Sequence, residues 1–373
     1  MTSSTPRLTS VDVFRGATMA SMVVVNTPGD WTAVYWPLLH ADWHGWTPTD
    51  LIFPFFVFIV GVSLTLSRRR AAGAGTIVRR AAILYGLGLL LALYPRFNLD
   101  TVRIMGVLPR LAICYLGAAL LYRAIVARPE AARIRASLVA AGILITGYWA
   151  LMKFVPAPGG LAGDLSPSGN LGAWIDRAIL GESHLWSQSK TWDPEGLLST
   201  LPAIATALTG VAAGVVLTGT ASTRERTRTL LLAGAVSTAL GLLWSLEFPI
   251  NKNLWTSSYV LLTSGLATLA LAALHRAADG RHGPPAWTRP FAVMGMNALV
   301  LFVVSGAMVK TLLLIRVAAP DGSATTLYRA IYVTGFAAFA PPKLASLLFA
   351  FAALAVLYVL LEVLYRRRWF LRA

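Results

Sequence analysis

The residues best suited to acid–base or nucleophilic chemistry lie near the start of the chain. The sequence holds five histidines, and two of them, His40 and His44, stand close to Asp42 and Asp50. An imidazole can act as a base, an acid or a nucleophile near neutral pH, and a neighbouring carboxylate can fix which ring nitrogen carries the proton. The alternative interpretation is an interfacial belt, because histidine and tryptophan are well accommodated among lipid headgroups.

Further polar residues lie in or beside the first two apolar segments. Asp12 and Arg15, three positions apart, are expected to pair on one helix face. Asn26 and Asp50 lie nearer the membrane edge where His40 is expected. Ionisable groups at membrane depth are costly and usually face a cavity or a partner, so these residues favour a site around His40.

Two arginines flank the start of a later apolar run, at residues 103–110. We expect Pro109 to free a backbone carbonyl inside the helix and Arg110 to lie one turn inward. A desolvated arginine needs an anion, which is either a phosphate of a ligand or a carboxylate of the protein. Both alternatives stay open, and Arg103 and Arg110 are candidate cofactor-binding residues.

Two polar segments that precede apolar runs are candidate substrate-binding segments. Asp193 and Glu195 could cap a helix start, or could bind the amine or hydroxyls of a substrate. Asn251, Lys252 and Trp255 offer amide hydrogen bonds and an aromatic platform, which is the chemistry of sugar binding. A structured helix entrance explains the second segment equally well.

The composition specifies what must position these residues. The chain is 373 residues long, 56% hydrophobic and only 13% charged, whereas a soluble domain carries about 25% charged residues. Unbroken apolar runs long enough to span a bilayer predict an all-α, polytopic transmembrane helix bundle. We expect ten spans, at residues 13–28, 49–67, 78–94, 104–126, 134–154, 196–219, 227–246, 254–275, 290–315 and 342–365. The run at 328–340 is too short to span and is expected to be re-entrant or interfacial.

The distribution of charge predicts the orientation of the bundle. The net charge is +16, and the arginines cluster on alternate connections, at residues 68–80, 123–135, 224–228, 276–289 and 366–372. The positive-inside rule then places both termini in the cytoplasm, and topology with anionic lipid accounts for the charge without a nucleic-acid partner. The longest outer loop is 155–195, and residues 1–373 are expected to form a single transmembrane domain.

Other kinds of site lack a signature in the sequence. The chain has one cysteine, Cys114, and no Cys or His spacing typical of a metal site. It has no phosphate-binding glycine loop or nucleophile elbow. No internal repeat relates the two halves, which weakens the interpretation as a secondary transporter.

The motifs, taken in order, resemble those of the heparan-alpha-glucosaminide N-acetyltransferase family, which has a lysosomal member and bacterial relatives. The resemblance runs from Arg7 almost to the C-terminus. It is carried by residues 10–16, 25–26, 40–45, 49–61, 103–111, 193–196, 251–255 and 295–297.

The resemblance implies a transmembrane enzyme that takes acetyl-CoA from the cytoplasmic side and acetylates a terminal glucosamine on the other side. The family's active-site histidine matches His40, and an assisting asparagine matches Asn26. Asp50 or Asp42 then orients the imidazole, and Asn297 joins the candidate substrate-binding residues. The expected location is a bacterial inner membrane.

The remaining roles concern the cofactor and the acceptor. Arg79 and Arg80, on a cytoplasmic connection, are candidates to hold the phosphates of acetyl-CoA. The chemistry of transfer leaves two routes open, with His40 as a general base or as a carrier of the acetyl group. Alternative functions are an O-acyltransferase of cell-surface polysaccharide and a small-molecule transporter, and a homodimer is an open alternative to a monomer.

Overall fold

The long apolar runs form helices that pack side by side into one bundle. A computed structural model describes residues 8–66, 73–279, 284–318 and 323–371. Its helices are α1 Thr9–Asn26, α2 Ile52–Leu66, α3 Ala74–Leu93, α4 Val107–Ile125, α5 Glu130–Phe154, α6 Leu171–Leu180, α7 Thr200–Leu217, α8 Thr223–Trp244, α9 Ser257–Ala278, α10 Thr288–Met296, α11 Ala298–Leu314, α12 Leu327–Tyr332 and α13 Pro342–Arg366. A small antiparallel pair, β1 Arg316–Ala318 and β2 Ala324–Thr326, precedes α12.

The fold class predicted from the sequence is confirmed, with fewer clear spans than expected. In the part of the chain that the structure describes, eight helices are long and apolar enough to cross a membrane, namely α2 with the turn before it, α3, α4, α5, α7, α8, α9 and α13. A ninth crossing results if α10 and α11 are counted as one broken span. The predicted first span coincides with α1, which does not meet the same criterion of apolarity.

Helix α1 can carry polar residues because it is surrounded by protein. It packs against α2, α9, α10 and α13, and most of its residues are buried. Its contact with α10 is close, because a Cβ on Gly16 would lie 1.7 Å from the carbonyl oxygen of Phe291. The predicted pair of Asp12 and Arg15 forms at 3.2 Å. Arg15 also donates to Ser63 and to the carbonyl of Gly295.

The predicted span 290–315 is broken rather than straight. Helices α10 and α11 meet at Asn297 with a bend of 81°. The buried Asn297 side chain donates from Nδ2 to the carbonyl of Trp369 at 3.2 Å, and its Oδ1 accepts from the N–H of Leu371 at 3.3 Å. A polar side chain bound to the segment after α13 therefore fixes the break.

Helices α7 and α9 form the centre of the bundle, and α3, α5 and α8 lie at its periphery, where few of their residues are buried. Small residues allow α2 to approach α7 closely. A Cβ on Gly61 would lie 1.9 Å from the carbonyl oxygen of Ala207, and one on Gly210 would lie 2.0 Å from that of Phe58. These contacts fix two helices whose preceding segments, Pro48–Leu51 and residues 193–196, carry residues described below.

The connections after α1, α3, α5, α8 and α11 meet at one end of the bundle, which we call the His40 end. Backbone hydrogen bonds join them, from Gly45 to Ile250 at 2.7 Å and from Ile104 to His184 at 3.2 Å. The opposite end, which we call the basic end, holds most of the described arginines of the predicted cytoplasmic clusters. Residues 68–70, Arg281 and Arg372, also part of that prediction, lie outside the described residues.

Candidate active site

A buried carboxylate holds His40. Asp50 lies in a 3₁₀ turn, Pro48–Leu51, in which Thr47 and Asp50 form a capping box. Asp50 Oδ2 accepts from the backbone N–H groups of Ala41 and Thr47, each at 3.0 Å. The other oxygen, Oδ1, lies 2.7 Å from Nδ1 of His40. The turn thus fixes one oxygen of the carboxylate and leaves the other for the imidazole.

This contact decides which ring nitrogen of His40 is reactive. An ionised carboxylate only accepts hydrogen bonds, so Nδ1 carries the proton and Nε2 keeps its lone pair. The His40 side chain is 53% exposed, whereas that of Asp50 is 1% exposed. Nε2 is therefore offered at an accessible surface, and a buried anion stabilises positive charge that develops on the ring.

Lys252, from a distant turn, lies against the same imidazole. Its Nζ is 2.9 Å from Nδ1 and 3.3 Å from Nε2 of His40, and 3.4 Å from Oδ1 of Asp50. Burial lowers the pKa of Lys252, and the negative charges of Asp50 and Glu195 act in the opposite direction. The sequence made Lys252 a candidate for binding the sugar. In the structure its ammonium lies beside His40 and Asp50.

The other two members of the predicted sugar-binding segment are buried. Asn251 Oδ1 accepts from the N–H of Leu254 at 2.9 Å, and its Nδ2 lies 3.3 Å from Nδ1 of His44. Trp255 is 1% exposed, and its ring lies 5.0 Å from the guanidinium of Arg110. Because both side chains are occupied within the fold, neither forms the open amide or aromatic surface that the sequence suggested.

Arg103 joins the two acidic residues of the 193–196 motif. Its guanidinium donates to Asp193 at 2.8 and 2.5 Å, and also to Glu195. Burial works to raise the pKa of Glu195, but the positive charges of Arg103 and Arg110 outweigh it and lower the pKa. The two acids do not cap α7, which begins only at Thr200. They form an ion-pair cluster with Arg103, which the sequence had made a candidate for binding the cofactor.

Arg110 is fully buried beside this cluster. It donates to the carbonyl of Gly196 at 3.0 Å and to the hydroxyl of Ser199. Among the described residues its Nε and Nη1 have no hydrogen-bond partner. The expectation for Pro109 was wrong, because α4 begins at Val107 and Pro109 lies in its first turn, where its missing N–H leaves no helical carbonyl unpaired.

Two aromatic residues connect the His40 group to the arginine group. The hydroxyl of Tyr259 donates to the backbone carbonyl of Asp50. The Tyr259 ring packs edge-on against Trp255 at 5.4 Å between centroids, and Trp255 in turn covers Arg110. Eight residues predicted from the sequence therefore form one continuous site: His40, Asp50, Arg103, Arg110, Asp193, Glu195, Lys252 and Trp255.

Asn26 stands at the edge of this site. It is the last residue of α1 and is exposed, and α1 contacts the turn that carries Asp50. Among the described residues, no hydrogen bond joins the Asn26 side chain to His40. Asn26 therefore lies at the same end of the bundle as His40, without a described hydrogen bond to the imidazole.

Three predicted residues lie away from His40. Arg79 and Arg80 are in the first two turns of α3 at the basic end, and Arg79 is exposed. Asn297 is buried at the break between α10 and α11 and binds the backbone near Trp369. Its geometry fits a structural role, and it shares no contact with the other candidate substrate-binding residues.

The sequence analysis missed Asp176 and an aromatic group. Asp176 Oδ1 accepts from the N–H of Leu197 at 2.8 Å, and burial raises the pKa of Asp176 to about 6. Trp43 packs against Trp192 at 5.0 Å between centroids, and Trp192 packs against Trp186 at 5.6 Å. The one carboxylate of α6, and the tryptophans of the loop 155–195, were the available signals.

Comparison with known proteins gives matches across most of the chain. A family model described as "Heparan-alpha-glucosaminide N-acetyltransferase, catalytic" matches residues 7–169. A Homo sapiens protein named heparan-alpha-glucosaminide N-acetyltransferase is 33% identical, over 80% of this chain and 52% of that protein. A Mus musculus protein of the same name is also 33% identical, over 81% of this chain and 53% of that protein. The chain spans about half the length of these curated relatives.

Proposed function

Because this chain belongs to the heparan-alpha-glucosaminide N-acetyltransferase family, we propose that it moves an acetyl group from acetyl-CoA to the amine of a glucosamine-type sugar. It is a multi-pass membrane protein, and we place it in a bacterial inner membrane. Acetyl-CoA enters at the basic end, which faces the cytoplasm, and the sugar enters at the His40 end. In this proposal the acetyl arm of the thioester passes through the bundle to reach His40.

The single observation that carries this proposal is the contact between His40 and Asp50. A buried carboxylate 2.7 Å from Nδ1 holds the ring proton at that nitrogen and leaves the lone pair on Nε2, in a side chain that is half exposed. In one route Nε2 takes a proton from the sugar amine while the amine nitrogen bonds to the acetyl carbon and the C–S bond breaks. In the other, Nε2 bonds to the acetyl carbon first, the thiolate leaves, and the amine then displaces the imidazole.

The other candidate residues support the same assignment. Arg79 and Arg80, at the basic end, have the charge and the fork geometry to hold the phosphates of the nucleotide. Arg103, Asp193 and Glu195 brace the floor of the site through their ion pairs. Asn26 lies at the rim, where its amide can reach the acetyl group or the sugar.

The test is transfer from labelled acetyl-CoA to glucosamine by the purified protein in detergent. We expect the wild-type protein to form N-acetylglucosamine, and His40→Ala to lose transfer by roughly 10³-fold or more while still binding CoA. The matched control is His44→Ala, which removes the neighbouring exposed histidine and should keep most of the activity. Wild-type turnover by a folded His40→Ala protein would contradict the assignment.

The same assay distinguishes the routes and the acceptor atom. Label that stays on the protein without glucosamine, and is lost in His40→Ala, identifies an acetyl-histidine. Mass spectrometry of the product separates an amide from an ester. An ester product would support an O-acyltransferase instead.

A further inference from the structure

A positive charge lies beside the imidazole that is expected to react. Lys252 Nζ is 2.9 Å from Nδ1 and 3.3 Å from Nε2 of His40, and it is anchored at 3.4 Å by the buried Oδ1 of Asp50. The Lys252 side chain is 18% exposed, so its ammonium faces the site rather than bulk solvent. The turn that carries it is held by hydrogen bonds of Asn251 with Leu254 and Thr256.

Negative charge develops close to this position in either route of transfer. When the sugar amine or Nε2 bonds to the acetyl carbon, the electrons of the C=O bond move onto the oxygen. That charge returns to the carbonyl when the C–S bond breaks and the thiolate of CoA leaves. A fixed donor beside the oxygen stabilises this intermediate more than it stabilises the planar thioester.

We propose that Lys252 is a catalytic residue that donates from Nζ to the acetyl oxygen and stabilises the oxyanion. The proposal rests on the acetyl transfer inferred above. In the acetyl-histidine route the oxygen is two bonds from Nε2, which is within reach of an ammonium 3.3 Å from that atom. In the direct route the acetyl carbon lies against the same edge of the ring.

The Lys252 ammonium is better suited to contact the acetyl oxygen than the sugar amine. The acceptor is an ammonium before it loses its proton, and like charges at contact distance repel each other. A lysine that bound the acceptor would therefore oppose its entry. The resemblance suggests Asn26 as the assisting residue, but no described hydrogen bond joins it to His40. Lys252, in contrast, lies 3.3 Å from Nε2.

The experiment measures kcat and KM for both substrates with Lys252→Met, which keeps the length of the side chain without the charge. We expect kcat to fall by roughly 100-fold or more, as for other oxyanion donors, and KM values to change by less than about threefold. Lys252→Arg keeps a cation and should retain activity to within about tenfold of wild type. The control is Lys153→Met, because Lys153 pairs with Glu247 on the surface and its loss should change neither constant.

Chemical rescue distinguishes the loss of the Lys252 charge from misfolding of the variant. Cys114 is the chain's single cysteine and is fully buried, so a thiol introduced by Lys252→Cys can be alkylated selectively with 2-bromoethylamine. Alkylation restores an ammonium on a side chain of nearly lysine length, and we expect it to restore turnover at least tenfold. Iodoacetamide, which adds a neutral group at the same atom, should not.

Three results would overturn the proposal. They are unchanged turnover in Lys252→Met, a rise in the sugar KM alone, and rescue by iodoacetamide as good as rescue by bromoethylamine. Each of them assumes an active wild-type protein. If the wild-type protein itself fails to transfer acetyl, the proposed function fails, and that result is distinct from failure of the role of Lys252.

Discussion

At the residue scale, His40 is held by the carboxylate of Asp50, whose two oxygens have different partners. Oδ2 of Asp50 faces two backbone N–H groups, and Oδ1 faces the imidazole. The types of these residues and their closeness in sequence made Asp50 and Asp42 the candidate partners, and the structure shows that the partner is Asp50. The contact of Lys252 with His40 could not be predicted, because 212 positions separate them and only the packing of α9 against α1 and α2 brings the turn to this end.

Asp50→Asn tests this arrangement directly. The amide must turn its oxygen to the two backbone donors, so its NH₂ group faces Nδ1 and forces the imidazole proton onto Nε2. We expect turnover to fall by roughly 10³-fold or more with the fold intact. The assay is acetyl transfer beside a thermal unfolding curve. Asp42→Asn, which changes an exposed carboxylate nearby, is the control, and equal activity of Asp50→Asn and wild type would refute the tautomer argument.

At the scale of elements, helix type and order were predictable but breaks and loop contacts were not. Apolar length predicts a helix over 290–315 whether or not it bends, and the bend depends on the bonds of Asn297 to residues beyond α13. The same holds for the loop 155–195. Its helix α6 has an asparagine cap, Asn170, that accepts from the N–H of Ala173, yet its packing on residues 193–199 follows from Asp176, whose partner lies 21 positions away.

Asp176 should make this loop sensitive to pH. Burial, helped by the negative charge of Asp193, raises the pKa of Asp176 from 3.8 to about 6, although the positive charge of Arg110 acts to lower it. Between these values the folded protein holds a proton that the unfolded chain has released, so the stability falls as pH rises from 3.8 to about 6. The slope is about 1 kcal/mol per pH unit.

The check on Asp176 is thermal unfolding in detergent between pH 5 and pH 7. Asp176→Asn, which has no proton to lose, should flatten the dependence and gain stability relative to wild type toward pH 7. Asp100→Asn changes an exposed carboxylate at the same end and should leave the dependence unchanged. Parallel curves for Asp176→Asn and wild type would show that Asp176 is not the group that titrates.

At the scale of the whole molecule, the alternation of basic and neutral connections predicted which loops meet. The described connections do assemble at two separate ends, and the candidate site lies at the end with fewer arginines. Helix α1, at the first predicted span, does not meet the criterion of apolarity, because it carries polar residues such as Asp12 and Arg15, which pair with each other inside the bundle.

The orientation of the ends is testable with single cysteines. With Cys114 buried, a membrane-impermeant maleimide should leave the wild-type chain unlabelled. Ser187→Cys, in the loop 155–195, should react in intact spheroplasts. Ala221→Cys, between α7 and α8, should react only after the membrane is permeabilised. The opposite pattern would invert the bundle and remove the route for acetyl-CoA from the cytoplasm.

The turn at 251–255 contributes one residue to the His40 group and one to the arginine group. Lys252 reaches His40, and three positions later Trp255, in a left-handed backbone conformation with φ of 52°, covers Arg110. Insertion or deletion of one residue would displace both contacts together, so evolution can change the length of this turn only at the expense of both. The exposed Trp31, Trp36 and Trp46, in the loop after α1, lie outside this double constraint. Sequence changes are therefore better tolerated there than in the turn.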